Sequence, residues 1–257
     1  MSGYPNFTVE IIESVATVTI DRPDKRNALT IGMWQQLSAI CAELRSNHQL
    51  RAVVVTGAGS SFCAGADITA LSEDDASMKA AVYQAEEALR RLPVPTVAKI
   101  RGYCMGGGNQ IAVACDLRIA DTSAIFGVPP AKLSVVYPVN STRCLVELIG
   151  PAEAKRLIFT AVPIDAPEAL RIGLVNQVVP AEALDTEVAG VIASMLPLAP
   201  MTQAASKDLI NAIADGADAE ALHQRWYAEW SKSPDGVEGP TAFLQKRKPA
   251  FSWRPTS

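Results

Sequence analysis

Apolar and polar positions along this chain recur with two different periods. "VATVTID", Val15 to Asp21, alternates apolar with polar residues and stops at the turn signal "RPDKRN", which predicts a strand with one covered face. Beyond it Ile31, Trp34, Leu37, Cys41 and Leu44 return at helical spacing, behind a Thr30 placed to cap the first turn. "RAVVVTG" is an unbroken apolar run and predicts a strand covered on both faces. A helical pattern follows over residues 76–92, then a strand in "PVPTVAKIRG", an apolar helix opened by "MGGGN", and short strands in "LRIADTSAIFG". That succession of strand and helix predicts a layered α/β domain.

From Thr142 the pattern turns mostly helical, with one short strand in "LVNQVV". Asp165 and Glu168 form a capping box before "APEALRI", and Gly173 is placed as the stop. Further helices are predicted over residues 181–196, 200–214, 219–232 and 236–246. The chain divides into an α/β core, residues 1–195, and a C-terminal helical subdomain, residues 196–257. Trp226, Tyr227, Trp230 and Phe243 load that terminal region with apolar surface that burial against a second copy would cover.

Composition narrows the classes. With 257 residues and 49% hydrophobic content the chain can bury a substantial core. A net charge of −4, with "QKRKP" the one dense basic stretch, argues against nucleic acid as a partner. The five cysteines, Cys41, Cys63, Cys104, Cys115 and Cys144, are odd in number and show no C-x-x-C spacing, which argues against a disulfide framework and against zinc. No run approaches 18 apolar residues, and the first residues lack the look of a secretory leader. The expectation is a cytoplasmic protein without a membrane partner.

Several chemistries are excluded by spacing. After the strand ending at Gly57 and Gly59, the third glycine of a dinucleotide fingerprint would fall on Phe62. In "GYCMGGGN" Gly108 stands where a P-loop needs lysine. With His48 and His223 the only histidines, and no G-x-S-x-G, a serine-hydrolase triad has little support, and no ligand cluster marks a metal site. Two glycine-rich turns remain, "CAGAD" and "MGGGN", each read as following a strand and leading into a helix. Singly, each is a tight turn of the kind α/β folds use often. If they converge, two backbone N–H groups can hold one carbonyl oxygen, and glycine admits the ligand close to the backbone.

Over nearly its whole length the sequence resembles the crotonase superfamily, the enoyl-CoA hydratase/isomerase family. The likeness is carried by "DRPDKRNAL", "FCAGADI", "IRGYCMGGGNQIAVACD", "FGVPPAKL" and "TAFLQKRKPAF". It implies the crotonase (ClpP/crotonase-like) fold, a layered β-β-α core with a C-terminal helical subdomain. It further implies a lyase or isomerase of fatty acid metabolism acting on an acyl-CoA thioester, with coenzyme A as part of the substrate and no other cofactor. A homo-oligomer, trimer or dimer of trimers, is implied as well. The matching oxyanion donors are the N–H groups of Ala66 and Gly107. Ala64, Ala66, Asp67, Ile68 and Thr69 would border CoA, as would Phe243 and Lys246 of the C-terminal helix, often that of an adjacent subunit. Lys25 and Arg26 either attract the phosphates or are solvated turn charges.

Two positions depart from the family pattern. Its hydratases handle water and proton with two glutamates, and the matching residues here are Gln110 and Pro130. An amide is no general base near neutral pH, and proline carries no proton chemistry. Efficient hydration is therefore not expected. "KLSVVYPVN" resembles a stretch of methylmalonyl-CoA decarboxylase-like members, where the tyrosine matching Tyr137 contacts substrate; a structural tyrosine is the alternative. Ala66 stands where those enzymes have histidine. Glu147 and Asp121 are expected on helix or loop surfaces. The open readings are an enolate-forming enzyme, with Gln110 and Tyr137 positioning substrate or water, a decarboxylase-like enzyme, and a non-catalytic acyl-CoA-binding protein.

Overall fold

The computed structural model describes residues 3–67 and 75–255. Strands β1 (Phe7–Ile12) and β2 (Val15–Ile20) form an antiparallel hairpin. Phe7 and Val9 of β1 and Ala16, Val18 and Ile20 of β2 point into the core, as a period of two requires. β2 then pairs in parallel with β3 (Ala52–Gly57), β3 with β4 (Thr96–Ile100), β4 with β6 (Leu117–Asp121) and β6 with β9 (Gln177–Val179). The result is a six-stranded sheet in the order β1-β2-β3-β4-β6-β9. A smaller sheet holds β5 (Tyr103–Met105), β7 (Ile125–Gly127) and β8 (Ile164–Asp165).

The unbroken apolar run of β3 is explained by helices on both sides. Val53 and Val55 face the main core, which α1 (Ile31–Ser46), α2 (Asp75–Arg90) and α3 (Gly107–Ala114) fill from one side. Val54, with Val97 and Ile119 of neighbouring strands, faces the opposite way onto Leu184, Val188 and Ile192 of α6 (Leu184–Met195). The layers are sheet, sheet and helix, as expected. Thr30 caps α1 by accepting from the Met33 N–H, and Asp165 caps α5 (Ala166–Arg171) by accepting from the Glu168 N–H. The return half of that capping box is absent, because the Glu168 carboxylate pairs instead with Arg171 and Arg156. Its carboxyl is thereby held below the usual range, Arg171 contributing most.

The second half is helical: α4 (Val139–Thr160), bent where Gly150 takes φ 73° ahead of Pro151, then α7 (Pro200–Ala214), α8 (Ala219–Trp230) and α9 (Asp235–Leu244). The hairpin partner β1 and the short strands β5 and β8 have no counterpart in the periodicity reading. Asp121 corrects an expectation. It is buried at the end of β6, where it accepts from the Ser123 N–H at 2.9 Å, whereas Glu147 is a half-exposed partner of Arg143 on α4. A short aspartate at a strand end is drawn inward when the next turn offers it N–H donors.

Candidate active site

The site lies beyond the C-terminal ends of the parallel strands, where loops from separate strands converge. One wall is the loop after β3. The "DRPDKRNAL" segment folds it into place through two buried or half-buried side chains. Asn27, at φ 59°, donates from Nδ2 to the carbonyls of Ala58 (2.9 Å) and Ser61 (2.7 Å), while its Oδ1 accepts from the Arg22 N–H at 2.9 Å. Arg22 donates to the Ala28 carbonyl at 3.1 Å and to Asp67 Oδ2 at 2.7 Å. The sequence offers Lys25 and Arg26 as candidates in this stretch, whereas Asn27 and Arg22 do the fixing. Lys25 and Arg26 are exposed, Arg26 lies over the Tyr103 ring at 5.1 Å, and its carbonyl accepts from the Ala64 N–H at 2.9 Å.

Extended backbone turns successive N–H groups to opposite sides. The Leu29 N–H donates to the Gly65 carbonyl and the Asp67 N–H to the Leu29 carbonyl, both at 2.8 Å. Ala66, between them, therefore turns its own N–H away from Leu29. On the other wall Gly106, at φ 47°, donates to the Gly127 carbonyl at 2.9 Å and swings the chain into α3, whose first turn leaves the Gly107 N–H without an intrahelical acceptor. Neither the Ala66 nor the Gly107 N–H has a hydrogen-bond partner among the described residues. The two approach closely: a Cβ on Gly107 would sit 3.5 Å from Ala66 N, and one on Gly65 would sit 3.8 Å from Gly107 N. At Gly108 a Cβ would fall 2.4 Å from the Cys63 carbonyl oxygen, so only glycine lets the two walls meet this closely.

α3 is buried along its whole length and presents the positive end of its dipole here. Its far end is tied down by Arg118, which donates to the Cys115 carbonyl at 2.7 Å and the Leu174 carbonyl at 2.9 Å. The loop contributing Ala66 makes no helix within the described residues, unlike the expectation from "CAGAD", so only one of the two donors has a helix behind it.

A cavity of about 330 Å³ opens at these donors. Ala64, Ala66, Gly107, Gln110, Pro130 and Tyr137 all line it, beside the apolar Trp34, Met78, Val82 and Leu133. Asp67 lies just behind on the Arg22 ion pair. Phe243 and Lys246 lie outside this cavity, at the end of α9, with Phe243 83% exposed. Ile68 and Thr69 fall outside the described residues. The Tyr137 hydroxyl is sealed from solvent with no partner in hydrogen-bond geometry, close to an Asn109 amide in the same condition, so the tyrosine lines the cavity with other atoms. Burial pushes that phenol well above its ordinary pKa.

One group escaped the sequence reading. Glu86 of α2 is 3% exposed and sits behind Gln110. Its Oε1 accepts from Ser141 Oγ at 2.5 Å and from Gln110 Nε2 at 3.2 Å, and its Oε2 accepts from Asn140 Nδ2 at 3.1 Å. Burial pushes its carboxyl up to about 7, against the opposing pull of these three donors. A signal existed: Val82, Ala85 and Leu89 mark the buried stripe of α2, and Glu86 falls inside it at i+4 from Val82.

Comparison with known proteins places this arrangement among relatives. Residues 10–254 match the family described as Enoyl-CoA hydratase/isomerase. A short-chain-enoyl-CoA hydratase of Clostridium acetobutylicum is 38% identical, with 95% of this chain and 96% of that protein covered. A crotonyl-CoA hydratase of Syntrophomonas wolfei is 34% identical over 97% of this chain and 98% of its own length. Among solved structures, an enoyl-CoA hydratase/carnithine racemase from Magnetospirillum magneticum superposes with a TM-score of 0.91 at 33% identity, covering 97% of this chain and 96% of that one.

Proposed function

The chain belongs to the enoyl-CoA hydratase/isomerase family, and from that premise we propose that it binds an acyl-CoA thioester and stabilises its enolate between the Ala66 and Gly107 N–H groups. The observation that carries this reading is the pair of unpartnered, converging N–H groups at the mouth of the cavity. When a thioester loses a substituent or a proton at its α-carbon, charge collects on the carbonyl oxygen. A donor already aimed at that oxygen in a water-poor site is worth roughly 10²- to 10³-fold in rate. The α3 dipole adds to it.

The relatives named hydratases supply the substrate class. Their reaction does not carry over by name. Adding water to an enoyl thioester needs a group that takes a proton from water and one that delivers a proton to carbon. The residues at the two family positions are an amide, Gln110, and a proline, Pro130, and Glu86 stands behind Gln110 without lining the cavity. We therefore read the protein as a poor hydratase.

Calorimetric titration with butyryl-CoA tests the core of the proposal: saturable binding is expected, and it should be lost in Gly107→Pro. Unchanged affinity in a folded Gly107→Pro protein would overturn the donor assignment. Light scattering tests the oligomer. Exposed Phe243, Tyr227 and Trp230 call for a neighbour, and a homotrimer or a dimer of trimers is expected rather than a monomer.

One observation favours a second reading. Among the described residues the cavity presents two converging N–H groups and, at the two family positions, an amide and a proline, so a reaction that forms the enolate without a protein base suits it. In decarboxylation the bond from the α-carbon to the carboxylate breaks and its electron pair becomes the enolate held by the two N–H groups. CO₂ leaves, and the α-carbon takes a proton from water. No protein base is needed. Release of CO₂ from malonyl-CoA, with acetyl-CoA formed in equal amount, is the expected result; intact malonyl-CoA after prolonged incubation would remove this reading.

A further inference from the structure

We propose that Glu86 is a positioning residue that locks the Gln110 side chain with its carbonyl oxygen turned into the acyl cavity, making the cavity select acyl chains that carry a hydroxyl donor. The inference rests on the acyl-CoA reading above and deepens it.

The lock follows from counting donors and acceptors. Ser141 Oγ spends its single proton on Glu86 Oε1, so toward Gln110 it can only accept; it does so from Nε2 at 2.7 Å. An ionised Glu86 also only accepts. Its second oxygen is occupied by Asn140 Nδ2, and Asn140 is held in turn by its Oδ1, which accepts from Arg143 Nη2 at 2.5 Å. Every group facing Gln110 from behind therefore demands N–H. The amide has one end that supplies it, and that end points inward. The other end, Oε1, accepts from no described residue and is not sealed from solvent, while its residue lines the cavity. The cavity is thus offered an acceptor with two lone pairs but no basicity.

The lock depends on the charge of Glu86. Protonated, its O–H becomes a donor that Gln110 Oε1 can satisfy, and the amide is free to turn its NH₂ toward the cavity. The surroundings set where that happens. Glu87 on the same helix raises the carboxyl, Tyr137 and Cys144 face it as neutral acids, and Arg90 and Arg143 lie nearby but are paired with Asp215. With the carboxyl at about 7, locking strengthens as pH rises through neutrality.

The test compares two ligands that both carry an acceptor oxygen at C3 and differ in the donor, 3-hydroxybutyryl-CoA and 3-methoxybutyryl-CoA, by calorimetry with unmodified protein and Glu86→Gln. A turned NH₂ serves either oxygen, a locked carbonyl only the hydroxyl. Taking the ratio of their affinities cancels CoA phosphate titration, which both share. A net hydrogen bond is worth about fivefold in affinity. The unmodified protein should favour the hydroxyl compound by roughly that factor at pH 8.5, and the preference should fall toward unity at pH 6. Glu86→Gln, which can present either amide end to Gln110, should show a small ratio at both pH values. If Glu86→Gln does not fold, the pH series on unmodified protein decides alone. Equal binding of both ligands at every pH, or a Glu86→Gln protein with the unmodified ratio, overturns the lock and leaves the acyl-CoA reading intact. Failure of both ligands to bind unmodified protein overturns that reading and this inference with it.

Discussion

The two sides of the cavity are made of different material. On one side Ala66 and Gly107 present main-chain N–H groups, with the Ala66 loop held by Asn27, Arg22 and the Leu29 bridge. On the other side the positions where proton chemistry would sit are side chains: Gln110 and Pro130, neither an acid nor a base, and behind them Glu86 and Ser141. A backbone donor survives almost any substitution that keeps the loop in place. A general acid or base disappears with a single residue change. On the reading proposed above, the same fold can pass on a thioester-binding, enolate-stabilising half while leaving the proton-handling half open to change, with Gln110 and Pro130 in this chain as that change.

The largest effect is expected from rebuilding the side-chain half. Gln110→Glu alone would set a carboxyl against Glu86, where Nε2 now lies 3.2 Å from Oε1, and two carboxyls that close share a proton instead of both ionising. Pro130 opens a 3₁₀ turn, and the Leu133 and Val135 N–H groups bond its carbonyl, which glutamate also supplies. The triple change Gln110→Glu, Pro130→Glu, Glu86→Gln should raise crotonyl-CoA hydration roughly 10²- to 10⁴-fold over unmodified protein, and each single change far less, because paired groups act as a unit. Loss of enoyl thioester absorbance reads it directly. Hydration by the unmodified protein at the tens per second common among enzymes would erase the contrast between the two sides.

Next in size is the removal of one donor from the backbone half. Gly107→Pro is tolerated at the first position of a helix yet has no N–H, and its added atoms meet Leu29 and Trp34 near 3.2 Å. Turnover of the best thioester in a substrate panel should fall roughly 10²- to 10³-fold with circular dichroism unchanged. A loss below tenfold would mean that the oxygen is held elsewhere.

The difference between the halves also explains what the sequence revealed. Local rules specify the caps at Thr30 and Asp165, the β3 run and the glycine turn before α3, and each is found where its pattern predicts. The converging donors needed the family motifs, since nothing in "CAGAD" alone says that Gly107 lies across from it. Strands β5 and β8 are too short, at three and two residues, for a period to show. Glu86 falls inside the apolar stripe of α2, but a glutamate beside Glu87 reads as solvated surface unless that stripe is followed through it. Its burial arises from α3 and α4, which arrive from elsewhere in the chain.

Glu86 should also leave a mark on stability, no larger than either kinetic effect. Its folded pKa, about 7, lies above its ordinary value of 4.5, so the folded state binds the proton more tightly than the unfolded state. The group's favourable contribution is complete below pH 4.5 and is lost as pH rises through 7. The difference amounts to about 3 kcal/mol across that window. Glu86→Gln removes the titration. The gap in unfolding free energy between unmodified protein and Glu86→Gln should shift against the unmodified protein by that order between pH 5 and pH 8, measured by urea denaturation. A pH-independent gap would mean the carboxyl is not held where burial raises it.

The smallest effect is expected where the backbone half is altered in its side chain alone. Ala66 lines the cavity, and the N–H proposed to hold the oxyanion is left in place by Ala66→Ser. Gly65 and Asp67 remain bridged to Leu29, so the direction of that N–H is set by its neighbours and not by the Ala66 methyl group. The added hydroxyl is small, and the half-buried position allows it solvent. A side chain that touches no reacting atom contributes little, and a change of about 0.5 kcal/mol is close to a factor of two in rate or affinity. The kcat/KM of Ala66→Ser on the best thioester should therefore stay within about threefold of unmodified protein, against the hundredfold or greater loss in Gly107→Pro. A change beyond tenfold would show that the side chain at this position enters the reaction, and the division between a main-chain half and a side-chain half would have to be redrawn at Ala66.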